Sequence, residues 1–400
     1  MRPGMTMHPD ASMTSPSKGW PASQRLSISA IRPCRMTTAP ASMTESPTPG
    51  TTVPPRMSVD IRSPLGYFHH IEVCFTIAAR VRLRNPRTEN LMAVPQTQRD
   101  FVGYGENPPS FSWPNGARVA ISLVINVEEG AERSIARGDS ANDLGAHWIP
   151  ARGSGTRNLT LESAFEYGAR AGMWRLLRIL RKHHVPATAF CCAAALELNP
   201  PGAAALVRDG HEIADHGYQW DTHTELDDDA EERLILSSRD AIHASTGRMP
   251  TSWYSRDGLK PGTRPVLART GFSYESNSFN DDLPHWGSGP GNPQLPILPY
   301  AGDTNDSGLF RQFPTAAAFE KHLTAALEML LDDTRCGPSV MSVGLHPRLI
   351  GRPAYAVALD RFITHARGRS AWFATRQEIV DAWVRITTPE RTTAACPPPS

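Results

Sequence analysis

Two adjacent carboxylates, Glu128 and Glu129, close the apolar, β-branched run ARVAISLVIN, and further along GHEIADHGYQW sets His216 at the end of a second short apolar run. Carboxylates held side by side and withdrawn from water repel one another, so at least one has its pKa raised and becomes suited to proton transfer. An imidazole changes charge near neutrality and can pass a proton or ligate a metal. These residue types therefore suit hydrolysis of an amide, either by carboxylate-activated water or at a divalent ion if further ligands join them. Either chemistry requires the two chain segments to end at the same place.

Parallel strands meet that requirement, because their C-terminal ends share one rim of a sheet or barrel. From Gly116 onward strand-like and helix-like stretches alternate, which predicts an α/β fold with helical crossovers. Strands are expected at VAISLVIN, PATAFCC, HEIAD, around SWYSR, and at FSYESNS, LPILPY, SVMSVGLH and SAWFAT. Helices are expected at 163–183, 201–209, 229–246, 263–270, 315–331 and 354–367. The pattern fits a sheet closed into a barrel, with a doubly wound open sheet as the alternative. In MWRLLRILRKHH, Trp174, Leu176, Leu177, Ile179 and Leu180 form a core stripe, and Arg175, Arg178, Arg181 and Lys182 form a solvated face. The acids from Asp227 to Glu232 suit the first turn of the next helix, where the macrodipole favours negative charge.

Composition bounds the partners. A chain of 400 residues with formal net charge +1 and 40% hydrophobic content suits an enzyme and gives no electrostatic footprint for nucleic acid. No apolar run approaches the ~18 residues that span a bilayer, and the start MRPGMTMHPDASMT lacks a secretory apolar stretch, so a cytoplasmic location is expected. The six cysteines form no C-x-x-C pair, and adjacent Cys191 and Cys192 are expected as buried thiols. Residues 1–91 are crowded with Pro, Ser, Thr and Met and are expected to be disordered or a spurious extension, with the biological start at or near Met92. The run IEVCFTIAA from Ile71 is expected to add at most a peripheral strand. Residues 389–400 are expected to be a disordered tail, leaving 92–388 as the catalytic domain.

Several blocks carry a specific resemblance: RDFVGYGENPPSFSWPNGARVA, LESAFEYGARAGMWRLLRIL, the Glu128-Glu129 strand end, GHEIADHGYQW, NDDLPHW, PYAGDTND and MSVGLHPRLIGRP. Together they span roughly Arg99 to Trp383. They resemble the polysaccharide deacetylase superfamily (NodB-homology domain), and within it the branch containing metal-independent allantoinases, cyclic-imide hydrolases and some peptidoglycan deacetylases. The resemblance implies a distorted (β/α) barrel of about seven units. It implies Glu128, Glu129, His216 and His346 as catalytic residues, the carboxylates activating water and the histidines protonating the leaving nitrogen or polarising the carbonyl. Arg256, at the family's third motif, is expected to orient a base or dock substrate through its planar fork. Asn126, Tyr254 and Trp220 are expected beside the substrate, Trp220 as a flat wall or a core indole.

Metal-dependent members end the first strand with two aspartates and complete a ligand set with H-x-x-x-H. Here the acids are glutamates, and the second motif runs from His216 to Trp220, whose indole has no available lone pair and cannot ligate. No cofactor is therefore favoured; zinc or another divalent cation, if bound, would take Glu129, His216 and His223. Glu275-Ser276-Asn277-Ser278 and Asp257 also depart from the branch, while Asp281 and Asp282 and the loop residues Asp303, Asn305 and Asp306 are retained and expected to brace the rim. The expected function is hydrolysis of a non-peptide C–N bond in a small cyclic amide such as a ureide or imide, by a homo-oligomer expected to be a tetramer, with no nucleic-acid or membrane partner. The alternatives are a metal-dependent N-deacetylase of an amino-sugar polymer and an inactive ligand-binding barrel.

Overall fold

The computed structural model describes residues 56–62, 68–74, 99–143, 149, 155–287, 295–300, 302–309, 312–313, 315–332 and 337–388. The chain forms two compact units, Met1–Leu91 and Met92–Ser400. In the first, β1 (Arg56–Arg62) and β2 (Phe68–Cys74) pair antiparallel, with Val59 opposite Ile71. The run from Ile71 thus lies partly in a hairpin strand; the rest of residues 1–91 and the tail 389–400 lie outside the described residues.

The second unit is built on β3 (Val119–Val127), every residue of which is buried. Burial on both faces explains its continuous apolar sequence, since a central parallel strand has no solvent side on which polar residues could alternate. One edge of β3 pairs along its length with β10 (Ser339–Leu345). The upper part pairs with β4 (Thr188–Cys191), and its first residues pair with β11 (Ala371–Phe373). From β4 the parallel sheet continues through β5 (Glu212–Asp215), β6 (Ser252–Trp253), β7 (Tyr274–Glu275) and β9 (Pro296–Ile297), and β8 (His285–Trp286) joins β9 antiparallel. The result is a curled half-barrel with helices outside, in the (β/α) class expected. β10 and β8 end the path instead of pairing with each other.

Arg376 bridges that seam from within. It opens α9 (Arg376–Thr387), whose start is fixed by a capping box between Thr375 and Glu378. Its fully buried guanidinium donates to Ser276 Oγ at 3.0 Å, Ser342 Oγ at 2.8 Å, and the carbonyls of Leu298 at 2.5 Å and Pro299 at 2.9 Å. These acceptors follow β7 and β9 on one side and lie on β10 on the other, so one planar fork holds both sides together.

The helix expected from Ser163 begins earlier and is interrupted. Asn158 caps α1 (Leu159–Tyr167) by accepting from Leu161 N at 3.1 Å; a π-turn over Gly168–Gly172 follows, then α2 (Met173–His183). Met173, Leu176, Leu177 and Leu180 face the core, in keeping with the apolar stripe. The remaining helices are α3 (Ala193–Leu198), α4 (Pro200–Arg208), α5 (Asp228–Thr246), α6 (Thr263–Arg269), α7 (Ala316–Asp332) and α8 (Pro353–Arg367). Sequence reasoning missed α3, α9 and β8. α3 is short and alanine-rich, a composition in which a six-residue helix shows no clear period.

Replacing Arg376 by Met would take a charged donor away from four buried oxygens. Urea unfolding should show a loss of about 3 kcal/mol or more; an unchanged midpoint would show that the seam holds without it.

Candidate active site

Parallel registry delivers the reacting groups to one height. Leu345 at the end of β10 lies opposite Ile125, so His346 emerges beside Glu128. Cys191 at the end of β4 pairs with Asp215 and accepts from His216 N at 2.9 Å, which brings His216 to the same rim. The turn after His216 depends on Gly217, at φ +86°, whose N–H donates to Asp215 Oδ1 at 2.8 Å. Ser238 also donates to that oxygen, at 2.6 Å, and burial pushes the Asp215 pKa up to about 7.

Glu128 is the hub. One oxygen, Oε1, lies 3.3 Å from His216 Nε2 and 3.4 Å from His346 Nε2, and Oε2 lies 2.6 Å from Arg348 Nη1. All four side chains are almost fully buried. Burial alone would raise the Glu128 pKa, but the Arg348 guanidinium, the His346 charge and the two histidine hydrogen bonds outweigh it and hold the carboxyl well below its ordinary range. His216 Nδ1 bonds the Tyr254 carbonyl at 2.8 Å, aiming Nε2 at Glu128. The Tyr254 ring stacks on His216 at 5.0 Å and on Phe190 at 4.8 Å, a rigid floor beneath the imidazole.

His346 is held from behind by Asp306, whose Oδ1 lies 2.5 Å from Nδ1. Asp306 Oδ2 accepts the N–H groups of His346 and Ile350, at 2.7 and 3.1 Å. Burial opposes the imidazolium, yet Glu128 and Asp306 raise its pKa to about 9. Glu129 is placed differently: its Oε1 accepts from Arg348 N at 3.1 Å, and its pKa is raised by burial and, against the pull of Arg348, by the neighbouring Glu128 charge. Glu132, accepting from Gly130 N at 2.6 Å, is pushed by burial up to about 7. The site thus holds a carboxylate that binds protons more readily than usual close to an imidazolium that holds its proton strongly. That pairing suits proton removal from water and proton delivery to a leaving nitrogen.

The glycines of the π-turn make room for this geometry. A side chain at Gly168 would strike the Glu129 carboxylate, and one at Gly172 would strike the carbonyl of Pro347, between His346 and Arg348. Gly172 also packs directly against Gly351. A π-bulge at a functional site is a recurring use of that geometry.

The structure therefore gathers Glu128, Glu129, His216 and His346, with Tyr254 beneath them. Asn126 donates to Tyr300 Oη at 3.2 Å behind the rim. Two expectations need correction. Arg256 does not present an open fork: it pairs with Asp143 at 2.5 Å, donates to the Trp220 carbonyl at 3.0 Å, and lies 3.8 Å above the Trp220 ring, so it braces that wall. Asp306 is not a rim brace but the buried partner of His346; Asn305, in the same loop, donates to Tyr300 Oη at 3.3 Å. Trp220 is half-buried and also lies 5.0 Å from the Arg348 guanidinium. Arg348 was missed, although an arginine in the apolar context LHPRLI signals a buried ion pair.

The metal that the resemblance implies does not fit these side chains. Glu129, His216 and His223 do not converge: among the described residues no group of three or more His, Cys, Asp or Glu is arranged to hold a metal ion. His223 instead packs 5.6 Å from Trp253. A guanidinium already stands between Glu128 and Glu129, so the donor set does not fit a divalent cation.

The sequence signature described as polysaccharide deacetylase matches residues 155–274. A putative polysaccharide deacetylase of Schizosaccharomyces pombe is 32% identical over 310 residues, covering 71% of this chain and 96% of that protein. The chain belongs to the polysaccharide deacetylase family. It is accordingly a hydrolase of carbon–nitrogen bonds. A probable polysaccharide deacetylase from Pseudomonas aeruginosa PAO1 is 38% identical, with TM-score 0.66, over 72% of this chain and 98% of that one. The crystal structure of PuuE allantoinase is 37% identical, with TM-score 0.67, over 73% and 98%.

Because the folded-state pKa of His346 lies above the ordinary 6.5, its proton contributes stability that is fully present below pH 6.5 and lost as pH rises through about 9. Unfolding of the wild type and His346→Gln across this window should show their stability difference narrowing with rising pH. A difference that is constant or widens would contradict the raised pKa.

Proposed function

We propose that this family member opens a small cyclic amide, a ureide or imide, by metal-free attack of water. The observation that carries the reading is the line Asp306–His346–Glu128 beside Glu129, which sets a proton donor and a proton acceptor at one rim. Water adds to the carbonyl carbon while its proton passes to the Glu129 carboxylate. The tetrahedral intermediate collapses as the C–N bond breaks and the His346 imidazolium protonates the departing nitrogen. In a ring the amine and the new carboxyl group remain joined, so the product is a single open chain. Trp220 and Tyr254, both half-buried beside the charges, make the surroundings of the site largely aromatic. The likeness to PuuE allantoinase supports a cyclic ureide.

Steady-state kinetics on a panel of cyclic ureides, cyclic imides and N-acetylated amino-sugar oligomers should give turnover on the rings. Glu129→Gln and His346→Gln should each lower kcat by ~10²–10⁴ with KM little changed. The wild-type rate should fall at low pH as Glu129 takes up a proton and at high pH as His346 loses its own, near 9. Turnover confined to N-acetyl sugars, or near wild-type rates in both variants, would overturn this reading.

A further inference from the structure

We propose that the guanidinium of Arg348 is the fixed cation of this site, standing in for a divalent metal, and that Trp220 covers it, so that the site takes up a metal only when both residues change. The inference deepens the metal-free reading and rests on it. Arg348 is 1% exposed, and its Nη1 lies 2.6 Å from Glu128 Oε2 and 3.6 Å from Glu129 Oε1. Its Cζ lies 5.0 Å from the Phe165 ring and 5.0 Å from that of Trp220. Carboxylates and aromatic faces stabilise a desolvated guanidinium by charge and by cation–π contact.

The backbone holds this cation in place. Arg348 N donates to Glu129 Oε1, and the residue preceding it, Pro347, is seated against Gly172 and Gly351, where no side chain could intervene. The guanidinium cannot withdraw as a surface lysine might. It neutralises the charge that would attract a metal, and a second cation within a few ångströms of it in a buried site would meet strong repulsion. Trp220 plays the complementary part: it removes a ligand and supplies the ring over the charge that replaced the metal. Glu128 and His216 remain in place, with His216 Nε2 already oriented by its Nδ1 contact to the Tyr254 carbonyl. Restoring an imidazole at 220 should therefore not suffice, because the place is still filled.

The test uses the full chain as wild type, Trp220→His, and Trp220→His combined with Arg348→Ala, Arg348→Gln or Arg348→Lys. After metal stripping, zinc affinity is measured by competition with a chromophoric chelator, with circular dichroism to check folding. The neutral double variants should bind zinc about 100-fold or more tightly than Trp220→His alone, as expected when a ligand is present and a buried like charge is removed. The Arg348→Lys double variant should remain as weak as Trp220→His. If the alanine variant fails to fold, the glutamine and lysine variants still separate charge from packing. Equal zinc affinity in Trp220→His and in its neutral double variants would overturn the assignment to Arg348 and leave the metal-free reading standing. Stoichiometric zinc in the unstripped wild type would instead overturn that reading itself.

Discussion

The pairing of Glu128 with Arg348 is the interaction on which the site depends. A carboxylate this deeply buried is costly unless an opposite charge and hydrogen bonds meet it, and removal of one partner leaves the other uncompensated. Glu128 is met by a guanidinium at 2.6 Å and by two imidazoles. That requirement explains features far apart in the chain. The β10–β3 register brings His346 beside Glu128, Asp306 braces His346 from a separate loop, and the π-turn glycines admit the backbone that carries Arg348.

The same cluster divides the proton work between neighbours. Arg348 and the histidines keep Glu128 ionised, and its charge in turn raises the proton affinity of both Glu129 and His346. A metal site lowers the pKa of a bound water directly. On the proposed reading the polarising charge belongs to a side chain, and water is activated by a carboxylate whose own pKa has been moved upward.

Much of this was legible in the sequence where local pattern decides structure. β3, β5 and β10 were marked by apolar runs ending in Glu128, His216 and His346, and Trp220 was recognisable as a residue unable to ligate. What escaped depends on contacts between distant segments. Nothing local indicated that Arg256 spends its fork on Asp143, that Asp306 turns inward to His346, or that Arg376 spans the seam between β9 and β10. The π-turn was hidden because GARAG carries no breaker strong enough to end a helix, so one continuous helix was the natural expectation. Arg348 left a fainter trace, a charged residue among apolar neighbours, whose partner only the assembled rim reveals.

On the proposed reading, a buried guanidinium–carboxylate cluster performs C–N hydrolysis without a divalent ion. Its most direct test is turnover of a cyclic ureide or imide by one preparation before and after exhaustive chelation, with metal content determined on the same sample. Turnover should be unchanged, with well under one equivalent of metal per chain. Activity lost on chelation and restored by zinc would contradict it.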